Sequence, residues 1–240
     1  MFQADKTTGE LIRWIRDWFA ANGPDSRAVL GMSGGKDSTV AAALCAAALG
    51  PERVTGVAMP SEGQSINEAD LICSHLGIDY MCVPIGDIIK QYSAVASGIR
   101  GGLSVQAEQN IPPRVRMTVL YAISQSLDGR VVNTCNLSED WIGYSTRWGD
   151  SVGDFSPLGN LTVQEVKAVG HFLGIPSRWV DKIPDDGLPH SCSDEEKFGF
   201  TYAVLDKYIR TGECPDADVK RKIDRMHERN LFKLSMPEKF

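Results

Sequence analysis

The sequence predicts an α/β protein, built on a doubly wound, mostly parallel sheet with helices on both faces. Two observations support this fold class. Short apolar segments alternate with helical patterns through the first half of the chain. A glycine-containing loop also joins the first apolar segment to an alanine-rich run that favours a helix. In such a sheet, ligands bind at the carboxyl ends of the strands, so we expect the site there.

The first elements follow from spacing and from turn residues. Aromatic and aliphatic residues recur at helical spacing over 7–21, which predicts a packing helix. A buried strand begins at Ala28 and ends in the loop 31–38, and a helix follows from about Ser38 to Leu49. Next come a strand over 54–59, a helix over 66–76 and a strand over 79–83.

The second half of the chain is less regular. Residues 91–109 are weakly patterned and rich in glycine and serine, which predicts a mobile connector suited to a lid. Residues 142–158 form a loop dense in aromatic and charged groups, suited to a large amphipathic ligand. The other predicted elements are a helix from about 110 to near 129, a strand at 131, helices over 163–173 and 197–208, a charged helix over 216–229 and an irregular C-terminus.

Composition limits the possible functions. The chain has 240 residues, of which 42% are hydrophobic, and we expect one domain over 1–240 with an appended segment at 216–240. Its formal net charge of −6 argues against a nucleic-acid partner. The six cysteines form no C-x-x-C pair, and we see neither a leader nor an apolar run of membrane length. These features predict reduced thiols, a cytoplasmic location and no membrane role.

The loop after the first strand reads Ser33-Gly34-Gly35-Lys36-Asp37-Ser38, which suits a phosphate-binding site. The two glycines let backbone N–H groups approach an oxyanion at the positive end of the next helix. The lysine adds a mobile cation, and the serines add hydroxyl donors. An aspartate beside phosphate would repel it unless a divalent cation lies between them, so Asp37 predicts Mg²⁺. A ligand-free turn is the simpler alternative.

The loop does not fit a Walker A motif, because Leu30 and Asp37 stand where that motif needs glycine and Ser or Thr. SGGKDS instead resembles the PP-loop, or adenine nucleotide α-hydrolase-like, group, whose members cleave ATP between its α and β phosphates. Further motifs follow in the order of one family within that group, the ammonia-dependent NAD synthetases. They are N-I-x-x-R-x-R-M at 110–117, T-x-N-x-S-E at 134–139, G-Y-x-T-R-W-G-D at 143–150, G-D-F-x-P-L at 153–158 and S-D-E-E at 193–196.

This resemblance implies that ATP adenylates the nicotinate carboxylate of deamido-NAD, releasing pyrophosphate, and that ammonia then displaces AMP to give NAD⁺. It implies catalytic roles for Lys36, Asp37 and Lys182, and Mg²⁺ on Asp37 and Glu139. The ATP contacts that it implies are Gly31, Met32, Ser33, Gly34, Gly35, Lys36, Asp37, Ser38, Thr134 and Asp185. The deamido-NAD contacts that it implies are Arg114, Tyr144, Arg147, Asp150, Asp154, Phe232 and Lys233.

Four positions depart from the pattern of the family. Val163 replaces a lysine after Leu-Thr, Asp185 follows the K-x-P loop where Ser or Thr is usual, Phe232 replaces a histidine, and Arg147 replaces a lysine. The phosphate loop itself is intact. We therefore expect these changes to affect individual contacts and substrate preference more than the class of reaction.

The resemblance also implies a homodimer that binds the dinucleotide across its interface, near the helix of Arg114. We expect free ammonia, or ammonia supplied by a partner, as the nitrogen donor, because the chain leaves no room for a glutaminase domain. Two alternatives stay open. The chain could be another PP-loop ligase acting on a different acid, or a nucleotide-binding module that no longer turns over ATP.

Overall fold

A computed structural model describes residues 2–62, 67–99, 101–182, 193–237 and 239 of the chain. Within these residues, one sheet contains four strands in the order β3–β2–β1–β4. The strands are β1 (Arg27–Gly31), β2 (Val54–Ala58), β3 (Asp79–Cys82) and β4 (Gly129–Val131).

All three strand pairs are parallel. Val29 of β1 lies opposite Thr55 of β2 on one side and opposite Val131 of β4 on the other. The chain runs outward from β1 through β2 to β3 and then returns to the far side of β1 to form β4. The carboxyl ends of β1 and β4 therefore form a topological switch point, the place where parallel α/β sheets bind ligands.

The helices of the described residues connect and cover these strands. They are α1 (Ala4–Asn22), α2 (Lys36–Leu49), α3 (Asn67–Leu76), α4 (Gly86–Ala96), α5 (Val105–Gln109), α6 (Ile111–Ser126), α7 (Leu137–Ile142), α8 (Val163–Phe172), α9 (Ser177–Val180), α10 (Asp194–Phe198), α11 (Tyr202–Thr211) and α12 (Ala217–Asn230). None of them has both the length and the apolar character that crossing a membrane requires.

Alternate side chains of β1 enter two separate cores. Ala28 and Leu30 pack with residues of α1, α2, α3, α8 and α9 on one face of the sheet. Val29 packs on the other face, with Ile85 and with residues of α6. This alternation follows from the two-residue period of a strand. Helices thus cover both faces, and the predicted fold class is confirmed.

Two predicted elements were wrong. Residues 91–109 are largely helical, because the apolar pattern begins before Gln91 and makes residues 86–96 a helix with Ile85 and Ile89 in the second core. The helix predicted over 197–208 is two helices. Gly199 ends α10 at φ +74°, and Thr201 begins α11 by accepting the Val204 N–H.

Candidate active site

The loop between β1 and α2 is held by its own side chains. The Ser33 hydroxyl accepts the Gly35 N–H at 3.2 Å, and the hydroxyls of Ser38 and Thr39 donate to the Gly35 carbonyl at 3.1 and 2.7 Å. Gly34 takes φ +79°, a conformation that favours glycine. Helix α2 begins at Lys36, two residues earlier than predicted, so Lys36 and Asp37 belong to its first turn.

The predicted contacts on either side of this loop lie at the same edge of the sheet. Gly31 ends β1, and the N–H of Met32 donates to the Val57 carbonyl at 2.8 Å. Thr134 lies just beyond β4, next to Asn133, whose side chain accepts the Cys135 N–H at 2.9 Å. The switch point therefore brings the 31–38 loop and the 132–139 segment together.

Lys36 is a buried cation. It is 3% exposed, and its Nζ donates to Asp37 Oδ2 at 2.8 Å. Burial works to lower the pKa of Lys36, but the nearby carboxylates of Asp37 and Glu139 outweigh burial and raise that pKa above its ordinary value. Lys36 therefore keeps its charge where little water screens it, so it can act strongly on a bound phosphate.

Asn136 links Asp37 to Glu139. Its Nδ2 donates to Asp37 Oδ1 at 3.0 Å, across 99 positions of sequence. Its Oδ1 accepts the Glu139 N–H at 3.1 Å, and Glu139 Oε2 accepts the Asn136 N–H at 3.4 Å, which makes a capping box for α7. Asn136 was not predicted as a site residue, although its N-x-x-E spacing is a cap signal.

The two predicted metal ligands suit a divalent cation. Loss of solvent and then the charge of Asp37 raise the pKa of Glu139 to about 8, although Lys36 works to lower it. A carboxylate such as Glu139, whose ionised form is disfavoured by burial and by a neighbouring carboxylate, gains from a cation bound beside it, and oxygen ligands are those that Mg²⁺ prefers. The residues of this site therefore fit Mg²⁺.

A carboxylate on α3 also lies against the phosphate loop. Lys182 Nζ donates to Glu68 Oε2. A Cβ placed on Gly34 would lie 3.1 Å from the Cβ of Glu68 and 3.3 Å from its Oε2, so Glu68 covers this glycine. Glu68 was not predicted to lie at the loop. The predicted catalytic lysine thus pairs with a carboxylate at the loop, whereas the predicted ATP contact Asp185 lies outside the described residues.

A cavity of about 480 Å³ lies at the predicted substrate contacts Arg147 and Phe232, a region that we call the substrate side. The Arg147 guanidinium lies between two aromatic rings, 5.1 Å from the centroid of Trp148 and 5.3 Å from that of Phe232. Arg147 Nη2 also donates to the Ser235 carbonyl at 3.0 Å. The cavity is lined by Arg147, Trp148, Phe232, Ser235, Met236 and Pro237. Trp148 was not predicted as a contact, although its position beside Arg147 was a signal for it.

The other predicted substrate residues hold the surrounding loops together. Asp154 accepts the Val131 N–H at 2.7 Å and the Tyr121 hydroxyl at 3.2 Å. The Thr146 N–H donates to Asp150 Oδ1 at 2.8 Å, and the Tyr144 hydroxyl donates to Asp194 Oδ1 at 2.7 Å. Lys233 Nζ donates to the Gly143 and Ser145 carbonyls at 2.8 and 3.2 Å. Arg114 Nε donates to the Arg147 carbonyl at 3.4 Å. The structure thus gathers Arg114, Arg147 and Lys233 in one region.

A phosphate-type loop at the switch point of a parallel sheet, with a buried lysine and two carboxylates beside it, defines an α/β nucleotide-binding protein of the PP-loop type. A sequence model of the NAD synthase family matches residues 7–237. The chain belongs to the NAD synthase family.

Similar proteins align over nearly all of the chain. The NH₃-dependent NAD⁺ synthetase of Archaeoglobus fulgidus is 37% identical, over 97% of this chain and 95% of its own. That of Carboxydothermus hydrogenoformans is 35% identical, over 98% and 96%. Two solved structures also superimpose on the chain. NMN synthetase from Francisella tularensis has a TM-score of 0.89 at 28% identity, covering 100% of this chain and 99% of its own, and NH₃-dependent NAD synthetase from Campylobacter jejuni has 0.79 at 27%, covering 100% of both.

Proposed function

We propose that the protein is an ammonia-dependent C–N ligase that uses ATP to convert the nicotinate carboxylate of deamido-NAD into the amide of NAD⁺, with AMP and pyrophosphate as the other products. One observation carries the proposal. Lys36, Asp37, Asn136 and Glu139 converge on a phosphate loop, in a chain that belongs to the NAD synthase family.

The chemistry has two steps. A carboxylate oxygen attacks the α phosphorus of ATP, and the bond to the bridging oxygen of pyrophosphate breaks. Ammonia then attacks the acyl carbon, and AMP leaves with the oxygen that came from the acid. The loop and Lys36 stabilise the charge of the departing pyrophosphate, so positioning and electrostatics provide most of the rate enhancement.

Asp37 and Glu139 would hold Mg²⁺. When bound, the cation neutralises charge on the phosphate oxygens and so favours attack at phosphorus. Asn136 keeps Asp37 oriented by its 3.0 Å hydrogen bond. Lys182 supplies a further cation beside the loop once it leaves Glu68.

The mononucleotide acid is a second candidate substrate. The structure of NMN synthetase from Francisella tularensis, at a TM-score of 0.89, supports it, since the NAD synthetase of Campylobacter jejuni scores 0.79 at nearly the same identity. Arg147 and Phe232 differ from the residues usual in the family, and both line the cavity on the substrate side. They therefore bear on whether the dinucleotide or the mononucleotide acid is the preferred substrate.

Both substrates can be tested in one assay. The enzyme is incubated with ATP, Mg²⁺, ammonium and either nicotinate dinucleotide or nicotinate mononucleotide carrying ¹⁸O in its carboxylate. We expect the amide, pyrophosphate and AMP containing one ¹⁸O atom, with a higher kcat/KM for the dinucleotide. A higher kcat/KM for the mononucleotide would reverse the substrate assignment, and ADP as the nucleotide product would refute adenylation.

We also propose a homodimer of single-domain subunits that works in the cytoplasm. Ile88, Tyr92 and Val95 share one face of α4 by helical spacing and are 45%, 54% and 82% exposed, and Ile99 beyond the helix is 56% exposed. An apolar surface of this kind suits a second copy of the chain. Val95→Glu should shift the protein from dimer to monomer in sedimentation equilibrium. A monomeric wild type would contradict the proposal.

A further inference from the structure

Tyr202 has a buried hydroxyl without a partner. The residue opens α11 and is 3% exposed, and its hydroxyl makes no hydrogen bond with any residue that the structure describes. Its backbone is fixed, since its N–H donates to Glu195 Oε1 at 2.7 Å. Leaving a buried polar group unpaired costs free energy, so such a group in a site points to a missing ligand atom.

The hydroxyl belongs to the charged part of the site. Lys36 Nζ lies 5.8 Å from the centroid of the Tyr202 ring. Burial and then the charge of Glu139 raise the pKa of Tyr202, with smaller contributions from Asp194 and Asp37. The group therefore stays protonated and can donate. Tyr202 also lines a cavity of about 100 Å³ together with Val163, Gln164, Lys167, Asp181, Ser193, Asp194 and Glu195.

The first two backbone N–H groups of α8, the helix that borders this cavity, already have hydrogen-bond acceptors. The Val163 N–H donates to Ser138 Oγ at 3.1 Å, and the Gln164 N–H donates to Asp206 Oδ2 at 2.8 Å. Asp206 is itself fixed by the Ser138 hydroxyl at 2.6 Å. These two backbone groups are therefore not available to a bound anion. A ligand beside Lys36 would therefore be bound by side-chain donors. One such donor is the Tyr202 hydroxyl, which has no hydrogen-bond partner among the residues that the structure describes.

We propose that the Tyr202 hydroxyl donates a hydrogen bond to a phosphate oxygen of the ATP held at the 31–38 loop. The inference rests on the proposed function, which places ATP at that loop. It assigns Tyr202 as a binding residue for the nucleotide, next to Lys36. Its hydroxyl, which has no partner among the described residues, would thus gain one in the complex.

The test compares Tyr202→Phe with Tyr208→Phe, because both variants lose one hydroxyl from the same helix. The Tyr208 hydroxyl donates to Asp224 of α12. ATP affinity is measured by calorimetry without the acid substrate, and Tm is measured on the same samples. We expect Tyr202→Phe to weaken ATP binding about tenfold or more with Tm unchanged or raised, because the free protein loses an unpaired buried hydroxyl, and Tyr208→Phe to lower Tm with ATP binding unchanged.

Two results would overturn the inference. The first is a Tyr202→Phe variant that loses thermal stability but binds ATP as the wild type does, since the hydroxyl would then be structural. The second is a loss of affinity seen with Mg²⁺ but absent without it, since the contact would then run through a metal-bound water. If the wild type itself does not bind ATP, the proposed function fails instead.

Discussion

The two sides of the candidate site are built in different ways. The turn of the phosphate loop is closed locally, since the hydrogen bonds of the Ser33, Ser38 and Thr39 hydroxyls join residues two to five positions apart. The lysine of the loop is 3% exposed. The substrate side joins distant segments, since Arg147 contacts Ser235 and Lys233 contacts Ser145, each across 88 positions. Phe232 on that side is 57% exposed.

This contrast indicates a division of labour. A loop closed by its own side chains keeps its geometry whatever acid is bound, so we expect it to determine the reaction. A cavity closed by the C-terminal segment depends on tertiary contacts and exposed side chains, so we expect it to determine which acid is accepted. The four variants below test that division, from the largest expected effect to the smallest.

Replacing Asp37 tests the loop most severely. Asp37→Ala should lower kcat by about 10³-fold or more in steady-state assays, because it removes a ligand for the cation and the partner of Lys36. Asp17→Ala, at an exposed position on α1, is the control and should retain wild-type kcat. Near wild-type turnover in Asp37→Ala would contradict the metal role.

Replacing Gly34 tests the shape of the loop. Gly34→Ala adds strain at φ +79° and a contact with Glu68, and it should weaken ATP binding about 10–100-fold by calorimetry. Gly174→Ala is the matched control, since Gly174 has φ +75° and nothing within 4 Å of an added Cβ.

Both glycine variants should lose a similar amount of stability, about 1 kcal/mol, because the backbone strain is alike. Only Gly34→Ala should bind ATP more weakly. Equal ATP affinities in the two variants would mean that the loop is an ordinary turn.

Replacing Arg147 tests the independence of the substrate side. Arg147→Ala should raise the KM for the nucleotide acid about tenfold and leave the KM for ATP unchanged, because its guanidinium lies in the cavity away from the loop. Arg225→Ala, exposed on α12, is the control. A parallel rise in the KM for ATP would show that the two sides are coupled.

Replacing Glu68 gives the smallest expected effect. In the free protein its carboxylate pairs with Lys182 and covers Gly34, so bound phosphate must displace it. Glu68→Gln should therefore tighten ATP binding a few-fold, since a neutral side chain releases Lys182 and repels phosphate less. Asp70→Asn on the same helix is the control. Weaker ATP binding in Glu68→Gln would mean that Glu68 helps to hold the nucleotide.

Part of the fold was predictable because its signals are local. The short apolar runs of the strands at 27–31 and 54–58 and the capping residues ahead of 163–172 are signals of a few residues each, so the predicted elements were close to the observed ones. The helix over 86–96 was missed because its pattern straddled an assumed boundary. The break at Gly199 was missed because a capping box indicates where a helix starts but not where it ends.

The sequence by itself determined the phosphate loop, since two glycines, a lysine and an aspartate in consecutive positions require no distant partner to suggest phosphate. Only the tertiary structure decided that Asn136 orients Asp37, that Glu68 covers Gly34 and that Tyr202, with its buried hydroxyl, has its ring 5.8 Å from Lys36 Nζ. These relations join residues far apart in the chain. The physical reason is that local backbone preferences act over a few residues, whereas burial and charge proximity depend on how the whole sheet is wound.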